Sequence, residues 1–536
     1  MLRRFDLSSE QMTWTLLGTG ISLWCAVVAG SRLPQLALSA PFPLLGPVFW
    51  LGLALTIGAF FLGQGGQRLF AALVLGWYFV ATIAFIYPYT VMHDSIANTL
   101  LFPGSESYQR AYSDSYNGFG TLVAWVERLS GIDPWTIARF FPVGMTLVYL
   151  LTLGLIMVTW RGRLLSSPLA CALFALFFFA FGDAFYLRIN AAPQTIGFVA
   201  FLITIGLLPL ASHSLWLKGA TLLALAAMII SHPVTPLLAV PGLVIVTASM
   251  GKTNATQIRR ALELAGTFLV SYITWTLYRA EWILSRAAGT IMSAFTQEKS
   301  LPIVDTPLIY QVDTYMLLHR IFLIALLVVL AASYATLWRT RVWYIVTAWG
   351  IAFVPGFALL FSYHDFFDRI LLFMLVPCAL VFAEAGARLC RSLPKLKVPA
   401  AALVMALVLL SASISYFSIG VIDRVTQDEV EATQYLTTLH RPLRVYANGF
   451  NLPVSPDFTF VPASRGIIHY EELRGADAVI VSQQVEHAVL LVGRSPVSVA
   501  ELVTFLHKDY EQVYANSGTR VFLKRSIARP GDSHGS

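Results

Sequence analysis

Apolar residues run through the first 420 positions in long blocks separated by short polar breaks. A helix needs about 20 mostly apolar residues to cross a bilayer, and about thirteen blocks meet that length. They centre near residues 23, 53, 79, 148, 175, 202, 224, 241, 270, 328, 352, 378 and 410. Two of the breaks are long, 87–135 and 284–316. Within the first, Ala111–Ser130 carries Leu122, Val123, Trp125, Val126 and Leu129 behind Gly118 and Gly120, a pattern that predicts an interfacial amphipathic helix. The second, with Asp305 and Asp313 among few apolar runs, is too polar to span and long enough to close over a site.

The pattern changes at Val421. Thr426-Gln427-Asp428-Glu429 is a capping box that opens an amphipathic helix to about His440. Leu443–Tyr446, Ala478–Ser482 and Val513–Lys524 read as strands, the last folded over Asn516-Ser517-Gly518 as a hairpin. Ser498-Val499-Ala500-Glu501 is a second capping box, opening a helix through His507. The expected architecture is an all-α polytopic membrane bundle over 1–420, a small α/β domain over 421–525 and a disordered tail over 526–536.

Composition agrees with a lipid-solvated chain. It is 57% hydrophobic and 12% charged, against about 25% charged in soluble domains. The first span lacks a small-residue cleavage site after it and reads as a retained helix. The net charge of +7 does not point to nucleic acid, because the basic residues sit in short loops at alternate spans. These are Arg3-Arg4, Arg68, Arg161 with Arg163, Lys218, Lys252 with Arg259 and Arg260, Arg339 with Arg341, and the run from Arg388 to Lys397. The positive-inside rule puts them all in the cytoplasm. Both long breaks and the C-terminal domain then face outward from a cell (inner or plasma) membrane. Cys25, Cys171, Cys378 and Cys390 lie in spans or at their basic ends, so neither a disulfide nor a metal site is expected.

Nearly every ionisable residue lies at a span end, whereas ion-coupled transporters need such groups near the midplane. Five polar groups collect on the outward side. They are His93-Asp94, the stretch from Asp183 through Arg188 to Gln194, Ser231-His232-Pro233, Arg279-Ala280-Glu281, and His364-Asp365 through Asp368-Arg369. This set suits sugar transfer from a lipid phosphate. An acceptor hydroxyl is a poor nucleophile, so a carboxylate must take its proton as the bond to C1 forms; Asp94, with His93 beside it, fits. The leaving phosphate calls for fixed cations or donors, and Arg188, Arg369, His232 and His364 are the candidates. Asp114, Gln194 and Asp365 could touch the acceptor or the loops. Each has a structural alternative: Asp94 as a helix cap, Arg188 and Arg369 as snorkelling side chains, and His232 as a partner of backbone carbonyls freed at a helix break.

On these residues the chain resembles the GT-C superfamily of integral-membrane glycosyltransferases, which use polyprenyl- or dolichyl-phosphate-linked sugars. In that family the catalytic Asp lies in the first large extracytoplasmic loop, before interfacial helices, and His93-Asp94 followed by Tyr116–Ser130 is similar. Asn190-Ala191-Ala192-Pro193-Gln194 with Ser231-His232-Pro233 is similar to prokaryotic members. The resemblance implies a polyprenyl-phosphate sugar as substrate, a glycan, lipid or protein acceptor, and inversion at the anomeric carbon. Two departures matter. The Asp follows the third span rather than the first, and the loop's first turn lacks an Asp-x-Asp or Asp-Glu pair. The second implies no divalent metal and a monophosphate-linked donor. Two other classes stay open: a lipid or polysaccharide flippase or export component without transferase activity, and a scaffold whose C-terminal domain recruits partners.

Overall fold

A computed structural model describes residues 8–30, 46–86, 118–180, 192–210, 214–249, 255–281, 314–360, 365–392, 426–447, 458–460, 473–482 and 499–528. Helices occupy twelve of the thirteen apolar blocks, and the block near 410 lies outside the described residues. In chain order they are α1 (Ser9–Gly30), α2 (Gly46–Leu62), α3 (Gly66–Ile86), α4 (Gly118–Ser130), α5 (Pro134–Trp160), α6 (Pro168–Ala180) and α7 (Pro193–Leu207). They continue with α8 (Leu215–Ser231), α9 (Thr235–Ser249), α10 (Ala255–Arg279), α11 (Thr314–Thr336), α12 (Arg341–Leu360) and α13 (Asp365–Ser392). The chain is a helical membrane protein with a small sheet. Among the described residues, stretches in α1, α5 and α13 are both long and apolar enough to cross a membrane; the remaining apolar helices are shorter.

Helix starts follow local chemistry. Proline opens α5, α6 and α7, where its missing N–H costs nothing. Asp133 caps α5, its Oδ1 accepting from the Thr136 N–H at 3.0 Å. Small residues set the close crossings: a side chain on Gly20 would meet Gly52 O at 2.8 Å, and Tyr78 donates to Gly20 O. α7 is buried along nearly its whole length, and Phe178, Phe198, Phe201 and Phe373 pack at the bundle's centre.

The helices alternate in direction. At one end, Gly162 (φ 73°) makes the tight turn between α5 and α6. Arg341 there donates to Ser249 O and, at 3.4 Å, to Arg163 O. Arg388 reaches Thr336 O at 3.5 Å. Trp160 Nε1 donates to Ile205 O at 3.3 Å, so α7 ends here and Lys218 on α8 begins nearby. Arg163, Arg341 and Arg388 thus share one end of the bundle, as the alternation of charge predicted, while Arg3, Arg4, Lys252, Lys395 and Lys397 lie outside the described residues. The break between the blocks near 224 and 241 separates two helices: α9 starts beside Gly197 at one end of the bundle and finishes at Arg341 at the other.

Beyond the bundle, α14 (Gln427–Thr437), β1 (Leu443–Tyr446), β2 (Phe458–Phe460), β3 (Ala478–Ser482), α15 (Val499–Asp509), β4 (Tyr510–Ala515), β5 (Thr519–Lys524) and α16 (Arg525–Ala528) form an α/β unit. Its sheet has the order β2-β1-β3-β5-β4, with β1 parallel to β2 and β3, and β5 antiparallel to β3 and β4. Alternate strand residues feed two cores. Val479, Val481 and Phe522 pack with Leu502 and Leu506 of α15, while Ala478, Ile480 and Val521 pack with Ala432 and Leu436 of α14. A strand covered on both faces needs no polar alternation, which explains the unbroken Ala-Val-Ile-Val run. The Thr426–Glu429 capping box is formed. In the hairpin turn, Asn516 Oδ1 accepts from the Thr519 N–H at 2.8 Å, and Ser517 ties the turn to Asp428 at 2.9 Å. Arg441 holds Ile527 O at 3.0 Å, so the folded unit runs through Ala528 rather than giving way to a tail at 526. Ser498 and residues 393–425, including the expected boundary at 421, lie outside the described residues.

Candidate functional site

At the end opposite the basic turns, α8 stops at Ser231 and α9 starts at Thr235. Pro233 and Pro236 prevent one helix from continuing through. His232, 5% exposed, occupies the break in extended conformation. Its Nδ1 accepts from the Val234 N–H at 3.3 Å and the Thr235 N–H at 3.2 Å, and lies 3.0 Å from Thr235 Oγ1. An acceptor at Nδ1 leaves the proton on Nε2, so the ring is a neutral imidazole that caps the first turn of α9. The sequence assigned this residue, in its structural alternative, to freed carbonyls. It serves freed N–H groups instead, because the start of a helix lacks acceptors whereas its end lacks donors.

Three elements close around this break. Gly197 of α7 touches Thr235, and a side chain there would come within 3.0 Å of Thr235 Cγ2. Gly118 of α4 lies against Ile230 and Ser231, where a side chain would meet both at 3.2 Å. Tyr272 of α10 donates to Pro233 O at 2.6 Å. α7 starts without a side-chain cap, since Ala192 holds the N-cap position. Gln194, in its first turn, is 9% exposed, and its Nε2 has no hydrogen-bond partner among the described residues. A buried amide without a partner costs free energy unless a ligand or water takes it up. Arg139, on the second turn of α5, is a cation at this end of the bundle that the sequence does not single out. Its guanidinium lies 4.9 Å over the Phe140 ring and donates to Phe85 O at 3.2 Å.

These contacts locate the flanks of the segments that carry the other candidates. The segment with His93, Asp94 and Asp114 leaves α3 beside Arg139 and returns at Gly118 beside Ser231. α6 starts and α7 finishes at the basic end, so the Ala180 and Ala192 flanks of the Arg188 segment lie at this one. By the same alternation, the Leu360 and Asp365 flanks of His364 lie here too. His93, Asp94, Asp114, Arg188 and His364 themselves lie outside the described residues. Asp365 and Arg369 fall within the first turns of α13, with their side chains outside what is described. Of the candidates, Gln194 and His232 have described side chains, and each is buried at this end. Among the described residues of the bundle the buried carboxylate is Glu384, at the basic end.

α4 departs from a one-sided amphipathic helix. Phe119 and Val123 are buried against Ile137, Phe141 and Ile196, while Trp125 is 64% and Leu129 84% exposed on a second apolar face. One face anchors the helix to the bundle and the other suits an acyl-chain boundary.

No protein-family model and no curated protein sequence matches the chain. Among solved structures, the crystal structure of ArnT from Cupriavidus metallidurans in the apo state is similar at 13% identity, over 84% of this chain and 96% of that one, with a TM-score of 0.42.

Proposed function

We propose that this chain is a membrane glycosyltransferase of GT-C type. It moves a sugar from a polyprenyl-phosphate donor to an envelope glycan, lipid or protein acceptor at the end of the bundle opposite the basic turns. One observation carries the reading. The Gly118 flank of the Asp94 segment packs beside Ser231 at the His232 break and its Phe85 flank meets Arg139 of α5, at the end of the bundle where the Gln194 amide has no partner among the described residues and a two-faced apolar helix packs. A buried polar group beside a helix with an exposed apolar face suits a membrane-dissolved donor with a charged head.

In this scheme Asp94, supported by His93, takes the proton of the acceptor hydroxyl as its oxygen attacks C1. The C1–O bond to phosphate breaks on the opposite face, so configuration inverts. Negative charge gathering on the phosphate is met by Arg188, Arg369 and His364, with His232 contributing one neutral Nε2–H donor. Asp114, Gln194 and Asp365 contact the acceptor side. No metal is needed, because a monophosphate leaving group can be neutralised by guanidinium forks alone. The basic end faces the cytoplasm of a cell membrane and the site end faces out.

The test is Asp94→Asn in proteoliposomes supplied with polyprenyl-phosphate sugar. Turnover should fall about a thousandfold at unchanged expression and folding. Full retention of transfer would remove Asp94 from the chemistry. Lipid translocation with no transfer by the unaltered protein would replace the transferase reading with a flippase.

A further inference from the structure

The basic end holds a cavity of about 200 Å³ between the α5–α6 turn, the α11–α12 turn and the last turns of α13. Arg163, Arg341, Arg388 and Glu384 line it, with Leu337 and Val342 forming apolar wall. Glu384 is 5% exposed and already engaged, its Oε1 accepting from the Ser166 N–H at 2.6 Å. Arg341 and Arg388 donate to the carbonyls of Ser249, Arg163 and Thr336. Carbonyls satisfy guanidinium hydrogen bonds but do not cancel their charge. Among the described residues neither Arg163 nor Arg388 forms an ion pair, and the cavity carries three guanidiniums against one carboxylate. A concave space with excess positive charge, partly walled by apolar side chains at the end of a membrane bundle, is complementary to a phosphate attached to something apolar.

We propose that this cavity binds the phosphate of an anionic phospholipid headgroup, with Arg163 and Arg388 as its principal cations. Glu384 limits the site to a single phosphate by repelling a second. The bound lipid then bridges three turns that are far apart in sequence and clamps the basic ends of α5, α12 and α13 together. The site is separate from the sugar-transfer end, and its occupancy is read by binding rather than turnover, so it stands or falls independently of the proposed reaction.

The experiment is native mass spectrometry of the full chain, titrated with phosphatidylglycerol, phosphatidylcholine or water-soluble glycerol phosphate. The unaltered protein should retain phosphatidylglycerol over phosphatidylcholine. Affinity should fall about fivefold for Arg163→Gln and about 25-fold for the double Arg163→Gln, Arg388→Gln variant. Arg163→Lys, which keeps the charge, should fall less. Competition by glycerol phosphate would identify the polar head as sufficient and extend the site to soluble phosphate esters. Equal retention of both lipids, or of phosphatidylglycerol by the folded double variant, would overturn the proposal.

Discussion

His232 serves the fold through one ring nitrogen and leaves the other for the chemistry proposed above. Its Nδ1 holds two N–H groups at the start of α9. His232→Ala should therefore cost about 1 kcal/mol of stability, the usual loss when a helix cap is removed. His232→Asn retains an acceptor near the same place and should recover most of it, which thermal unfolding in detergent will read. Glu429 is the second telling residue. Burial pushes its carboxyl up to about 8, with the Thr426 backbone N–H and the hydroxyls of Ser482 and Thr426 pulling it back down. The folded form therefore keeps a proton that the unfolded chain releases near pH 4.3. Stability of the α/β unit should be fullest below that pH, fall as pH rises toward 8 and then level off. Glu429→Gln keeps the capping acceptor and should flatten this slope. Amide exchange in β3 and β5 of the full chain, followed across that range, provides the check. Neither effect was legible beforehand: a capping box is visible as a spacing, but whether its Glu is sealed from water depends on the sheet above it.

Among the elements, those whose conformation is set by their own residues were foreseen best. The apolar blocks became helices, the capping box started α14, and Asn516-Ser517-Gly518 turned the hairpin. β2 was missed. Phe458-Thr459-Phe460 is too short to show a period, and it is a strand because β1 offers it a parallel edge. α4 was foreseen as a helix but not as a two-faced one, since the choice of Phe119 and Val123 for burial is made by Ile137, Phe141 and Ile196. Glycine spacing carried a signal that only packing could interpret. Gly197→Val would force a branched side chain onto Thr235, already 3.0 Å from a bare Cβ, and should destabilise the bundle by about 1–3 kcal/mol. Gly219→Ala, where a Cβ meets nothing within 4 Å, should be neutral or slightly stabilising. A thermal-shift comparison of the two separates close helix approach from mere helix propensity.

Over the whole molecule, the alternation of charged breaks predicted which helix ends belong together, and the structure gathers Arg163, Arg341 and Arg388 at one end. The positive-inside rule predicts that this end is the cytoplasmic one. In a variant whose native cysteines are replaced, an impermeant maleimide added to intact cells should label Ser130→Cys and leave Arg163→Cys unmodified. The reverse pattern would invert the orientation and with it the side on which transfer is proposed.

The chain by itself determined its solvent, its helical blocks, the alternation of their ends and the mixed α/β character of its C-terminal part. Those properties follow from residue-by-residue transfer free energies, caps and turns, which act over a few positions. Only the tertiary structure decided that His232 is buried as a neutral cap, that the Gln194 amide at the same end has no partner among the described residues, and that Arg163, Arg341 and Arg388, from turns remote in sequence, share a cavity with Glu384. Burial and electrostatic environment are created by segments remote in sequence, and no local pattern encodes which of them will meet.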